Sequence, residues 1–469
     1  MSSMKYEDMR ARIENIVNQP IRKFKPKELK GIIERYHKNH PKSKEAYERA
    51  RKIIPGGVEH NLAFNHPFPL ASKRVYACYM ETIDEVVLTD YLMCGGPIIL
   101  GHQYKPLIDK VGEVIQEFGP CHGLTNEYEY LAAEQLQKHF PSCEIIRWLQ
   151  SGTEADMLAI RVARVFTGRK HIIKIGGSYH GWSDQLVFDM HISGTKRLES
   201  HGIPKEIYKY IDSIPPNDIE ALEQIFKEKK KVAAVIIEPM GGESGANPVR
   251  LGFNKEVEEL CHNSGTLLIS DEVVCAFRLH MSGGQGYFGY NPDLSVFGKI
   301  VGHGYPSAAA LGGRADIMAT VAAGVGGGSK RAYCGGTLAA NPLTCAAAYW
   351  AMKYVEETKA TEKAGRAASR LSHGLNEVFE KYNLPWFSYN FGGTVHFHTS
   401  CVFGLDLNDP KQSGQIKIRK DFMDEMGAAL VDQEIISVAG SRFYTCMLHS
   451  DEIIDDTIKK IDKICQKIE

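Results

Sequence analysis

Residues 231–239 read KVAAVIIEP, six uninterrupted apolar side chains closed by an acid and a proline. A run of this length, apolar on both alternating faces, is the pattern of a strand buried between two layers. The same texture recurs on either side of it. EIIRWLQ (144–150), HIIKI (171–175), GTLLISDEV (265–273) and DLSVFGK (293–299) are short apolar runs, each soon stopped by glycine, proline or an acid, with longer amphipathic segments between them. Strand, loop and helix in alternation predict an α/β domain whose mostly parallel sheet is covered by helices on both faces. Ligands in such sheets bind beyond the carboxyl ends of the strands, so the residues that follow each run are the candidates for chemistry.

Outside this region the texture changes. The first fifty residues are rich in Lys, Arg and Glu and apolar only at intervals, which predicts a solvated helical extension over 1–50. Residues 51–100 are expected to begin a small domain, 101–340 to form the large α/β domain, and 341–469 to complete the small α+β domain through a long helix. Lys and Arg number 56 against 57 Asp and Glu, so no global charge steers the chain toward nucleic acid or an anionic membrane. No apolar run approaches the roughly 20 residues that span a bilayer, and the start MSSMKYEDMRARIEN is charged, which predicts a cytoplasmic protein. Eleven scattered cysteines, an odd number with no C-x-x-C pair, read as free thiols rather than disulfides or metal ligands.

Four strand ends carry residues that need an explanation. In LQSGTEADMLAIRVARVF, Ser151, Gly152 and Thr153 open a helix whose N–H groups can hold an anion, or simply cap it. In IKIGGSYHGWSD, Tyr179, His180 and Trp182 crowd among glycines, either as packing or as a surface for a flat cofactor. Asp271 ends an apolar run and needs a partner, for which Arg278 is the nearby cation. Lys299 ends another run; it caps, pairs, or serves as a nucleophilic amine. Taken together they supply a phosphate cradle, a stacking ring, a buried carboxylate and a reactive amine, the inventory that pyridoxal 5'-phosphate requires.

The motifs SGTEA, SYHGWSD, VIIEPMGG, ISDEV, GGQGYFG, PDLSVFGKIVGHGYP and GGTLAANPL, in this order, resemble the class III aminotransferases of PLP fold type I, and most of all their glutamate-1-semialdehyde aminomutase branch. The likeness runs from about residue 53 to about 454. It implies a large domain with a mostly parallel seven-stranded sheet, and a smaller α+β domain. By the same resemblance Lys299 matches the lysine that carries the cofactor covalently and Asp271 the carboxylate facing the pyridinium nitrogen. Val273 and Tyr179 would flank the ring, Ser151, Gly152 and Thr153 would meet the phosphate, and His180 and Glu238 would complete the cofactor site. Thr337 matches a threonine that reaches the cofactor of a second subunit, which implies a homodimer with shared active sites. His60, Trp182, Glu243, Arg442 and Tyr444 are the implied substrate-side residues.

Departures from the family pattern bear on the reaction. The segment PGGVEHNLAFNHPFPL lacks the arginine that aminomutases usually carry there, and Phe443-Tyr444 stands where they have a phenylalanine and a glutamate. Ala276 replaces a glycine that usually follows DEV. Glu243, in EPMGGES, and Arg442, in GSRFYTC, offer the glutamate–arginine pair with which ornithine and 4-aminobutyrate aminotransferases handle a 2-oxoacid, or are a loop acid and a surface cation. The first expectation is therefore amino transfer between an amino acid, its amine α, β or ω, and a 2-oxoacid. The alternative is an intramolecular aminomutase, racemase or epimerase on the same scaffold. A catalytically silent relative that binds or regulates is the third.

Overall fold

A computed structural model describes residues 4–60, 65–228, 231–322 and 330–469. The backbone falls into two compact units: residues 1–104, 360–405 and 409–469 in one, and 105–359 with 406–408 in the other. Part of the segment PGGVEHNLAFNHPFPL, residues 61–64, lies outside the described residues.

The second unit is built on a seven-stranded sheet in the order Ile145–Leu149, Ala309–Gly313, Leu294–Phe297, Leu267–Asp271, Val232–Ile237, His171–Ile175, Ile211–Ile214. Ala309–Gly313 runs antiparallel to both of its neighbours, and the other strands run parallel to one another. The all-apolar runs have the reason expected of them. Ala234, Ile236, Ile172 and Ile269 pack on one face with Ala155, Leu158, Ala159 and Val162 of the helix Gly152–Thr167. Val235, Ile237, Ile173 and Leu268 pack on the other face with Phe253, Val257 and Cys261 of the helix Phe253–Ser264. Both faces of each strand are dry, so alternation disappears from the sequence.

The first unit holds a four-stranded sheet, a three-stranded antiparallel sheet of Phe387–Phe391, Thr394–His398 and Arg442–Tyr444, and helices including Ala360–Lys381, Ile416–Asp432 and Asp451–Cys465. Its core joins Leu371, Phe379, Trp386, Phe397, Phe422 and Ile461. The N-terminal helices differ from the solvated extension expected of them. Phe24, Ile32 and Tyr36 are part of that core, and Tyr36 Oη donates to the Phe68 carbonyl at 2.7 Å. Arg419 is fully buried and donates to the carbonyls of Ile16, Val17 and Gln19, tying down the end of the helix Tyr6–Val17. The helix Pro342–Thr358, expected to open the small domain, falls in the second unit. No helix among the described residues is long and apolar enough to cross a membrane. All eleven cysteines are free thiols and most are buried.

Candidate active site

Six parallel strands of the second unit end on one edge of its sheet, and the residues after five of those ends are the ones that the sequence offers for chemistry. The Ile145–Leu149 strand leads through Gln150 to Ser151, which caps the helix Gly152–Thr167 by accepting from Glu154 N at 3.3 Å. The helix therefore starts at the sheet edge with the N–H groups of Gly152 and Thr153 in its first turn. A side chain at 152 has no room: a Cβ there would lie 2.9 Å from Val273 Cγ2. A Cβ on Gly298 would come into ordinary contact with Val273 Cγ1 at 3.4 Å, so Val273 packs close to the backbone of both Gly152 and Gly298.

The strand Leu267–Asp271 ends on the buried Asp271. Its partner is His180 rather than Arg278: His180 Nδ1 lies 2.8 Å from Asp271 Oδ2, while Asp271 Oδ1 accepts from Val273 N at 3.0 Å. His180 is fully buried, and that burial lowers its pKa against the pull of Asp271, so the imidazole is neutral at neutral pH. Lys299 follows the next strand, Leu294–Phe297, with φ 49°, partly buried. The second acid of the SDE triplet, Glu272, turns away into the protein and accepts from Gly284 N and Gln285 N at 2.7 and 3.0 Å.

The loop carrying Tyr179, His180 and Trp182 is held by two residues. Glu238, at the end of Val232–Ile237, accepts from Tyr179 N at 2.8 Å, from Glu243 N at 2.7 Å, and from Ser244 N and Oγ. Its carboxylate braces two loops at once, and burial followed by the field of Asp271 pushes its pKa up to about 7. Lys174, fully buried in the middle of His171–Ile175, donates to the carbonyls of Ser178, Leu186 and Phe188 at 2.8, 3.2 and 2.8 Å. Sequence reasoning missed it, although a lone lysine inside HIIKI is the signal of a charge that must find partners. Tyr179 is 42% exposed with its ring stacked along His191 at 6.2 Å, and His191 Nδ1 lies 2.8 Å from Glu243 Oε2. Trp182 is 76% exposed.

Thr337 is exposed in the turn after Gly336, where an added Cβ would run into the side chain of Gln150, one residue before Ser151. His60, Arg442 and Tyr444 belong to the first unit. There Arg442 donates to Tyr444 Oη at 3.2 Å, and His60 is exposed.

The donor set fits pyridoxal 5'-phosphate. It offers first-turn N–H groups for a phosphate, a partly exposed valine and an exposed tyrosine ring for a flat heterocycle, and a buried carboxylate for a ring nitrogen. It adds an amine on the adjacent strand end and a glycine at 152, where a Cβ would crowd Val273.

Comparison with known proteins points the same way. The family described as Aminotransferase class-III matches residues 63–386. The chain is 34% identical to the glutamate-1-semialdehyde 2,1-aminomutase of Methanocaldococcus jannaschii over 91% of this chain and 99% of that protein. It is 37% identical to the aminomutase of the same description from Archaeoglobus fulgidus, over 90% of this chain and 99% of that protein. Among solved structures, an omega-transaminase from Sphaerobacter thermophilus superposes with a TM-score of 0.83 at 27% identity, covering 91% of this chain and 97% of that one.

Proposed function

The chain belongs to the class-III aminotransferases, enzymes whose cofactor is pyridoxal 5'-phosphate, and on that premise we propose that it moves an amino group between neighbouring carbons of one substrate molecule. The observation that carries this reading is the extent of the likeness to aminomutases, 34% and 37% identity along 91% and 90% of the chain. A feature of the site supports it. Glu243 is engaged by His191 at 2.8 Å within its own unit, so the carboxylate that a transaminase would use to neutralise an arginine already has a partner. The missing arginine of the PGGV segment argues that the substrate is an amino acid bearing a carbonyl next to its amine, other than glutamate semialdehyde itself.

Pyridoxal 5'-phosphate supplies an aldehyde that condenses with amines and a ring that withdraws electrons from the carbon losing its proton. The chain's own groups do the rest. Gly152 and Thr153 hold the phosphate with their N–H groups, Ser151 fixes the helix start, and Val273 and Tyr179 flank the ring. Asp271, anchored by His180 and Val273 N, holds the ring nitrogen in its protonated form. Lys299 Nζ would hold the cofactor at rest and, when free, would serve as the base and acid that moves the proton of the reacting carbon. Two copies of the chain associate so that Thr337 of each faces the partner's site. The exposed Tyr333 and Leu338, close to Thr337 along the chain, would supply apolar side chains for that association.

Amino transfer to a separate 2-oxoacid is the second reading, favoured by the likeness to the omega-transaminase. The test gives holoenzyme a series of α-amino aldehydes with no oxoacid, glutamate-1-semialdehyde serving as the comparison that should react more slowly than the best of the others, and follows each substrate by NMR. In parallel, α-, β- and ω-amino acids are screened for conversion of the bound cofactor to its amine form. Isomerisation without oxoacid is expected. Turnover that occurs only when pyruvate or 2-oxoglutarate is added overturns the proposal in favour of transfer.

A further inference from the structure

Two buried polar atoms beside Asp271 have no hydrogen-bond partner among the described residues: Asp156 Oδ1 and His180 Nε2. Asp156 is 1% exposed, on the sheet-facing side of the helix Gly152–Thr167 with Ile160 and Ala163. One ligating atom each of Asp156, His180 and Asp271 lies within 4.8 Å of the other two. The charged and titratable groups around Asp156 come from every element at this edge. They are Asp271 and Glu238 from two strand ends, Lys174 from a third strand, and His180 from the loop. Lys174 donates to three carbonyls, so Asp156 faces two acids without a dedicated cation. Burial first, then Asp271 and Glu238, raise its pKa well above the usual carboxyl range.

We propose that Asp156 is a positioning residue that works as a neutral acid, donating its carboxyl proton through one bridging water to His180 Nε2 and so fixing the His180 proton on Nδ1, where it is donated to Asp271. A carboxyl group kept protonated acts here as a hydrogen-bond donor, and a single water between them gives each orphan atom a partner. Asp271 then receives two donors, His180 Nδ1–H and Val273 N–H, and remains a carboxylate available to a ring nitrogen. The benefit to the cofactor rests on the reading of Asp271 given above; the His180 tautomer does not.

The test therefore has two parts. Nitrogen-15 NMR of histidine-labelled full-length protein without cofactor, between pH 6 and 9, should show His180 neutral with its proton on Nδ1. A His180 that is an imidazolium, or carries its proton on Nε2, overturns the proposal. This spectrum needs no variant, so a substitution that fails to fold leaves it standing. Equilibrium binding of pyridoxal 5'-phosphate is the second part. Asp156→Asn, whose amide still donates, should bind within about threefold of wild type. Asp156→Leu should bind about tenfold more weakly, the loss of one hydrogen bond. An Asn variant as weak as the Leu variant, or a Leu variant as tight as wild type, refutes the neutral donor. Asp271→Asn is the control: unchanged binding there refutes the ring-nitrogen reading while the His180 spectrum still decides for or against Asp156.

Discussion

Asp156 shows how a single buried acid leaves a trace in pH dependence. Its pKa in the folded chain is raised above the unfolded value near 4. As pH climbs past about 4 the unfolded chain loses this proton while the folded chain keeps it, so folding is penalised progressively toward neutral pH. Asparagine has no such proton to lose. Asp156→Asn should therefore match wild type in urea midpoint at pH 4 and exceed it increasingly toward pH 8; a variant less stable at pH 8 than at pH 4, relative to wild type, contradicts this. The residue was open to discovery in the sequence, since ADMLAIRVA places an acid four and seven positions before Ile160 and Ala163 on a buried face. Asp271 and Lys299 were legible because each ends an apolar run. The identity of Asp271's partner was not, because His180 lies 91 positions away along the chain and only the sheet brings them together.

At the scale of elements, the strands were legible where both faces are buried and obscure where side chains are small. KVAAVIIEP and HIIKI announce themselves, whereas Ala309–Gly313, the single antiparallel strand of the large sheet, reads as a glycine-rich loop. The loop 178–188 takes its shape from a strand residue. Lys174 reaches three of its carbonyls, and burial lowers the lysine pKa to about 8, so it is charged at pH 7. Lys174→Met leaves those carbonyls without their donor and should cost on the order of 3 kcal/mol in denaturant unfolding. It should also weaken cofactor binding, because the same loop carries Tyr179 and His180. Stability lost with cofactor affinity intact would separate the two roles and contradict the brace. The converse pH effect applies to wild type. Between about 8 and the unfolded value near 10.4 the lysine is charged only in the unfolded chain, so its cost to folding shrinks as pH rises through that window.

At the scale of the molecule, the α/β unit and its site could be read from strand ends, but the first unit could not. Its pieces come from three separated parts of the chain, and the N-terminal helices were misread as solvated because their apolar residues are sparse. Sparse does not mean exposed: Ile32 and Tyr36 are buried, and Arg419 satisfies three carbonyls at the end of the first helix. Arg419→Ala should lower the unfolding midpoint and expose the first twenty residues to limited proteolysis; an unchanged cleavage pattern would show that the helix is held by other contacts. The reaction itself was the least legible feature, since one scaffold serves amino transfer and amino migration alike. What both share is a lysine that holds the cofactor, and the whole account depends on which lysine that is. Borohydride reduction of the holoenzyme, followed by proteolysis and mass spectrometry, fixes the answer covalently. The account predicts one pyridoxyl group per chain, on Lys299; modification at another lysine, or none at Lys299, would contradict it.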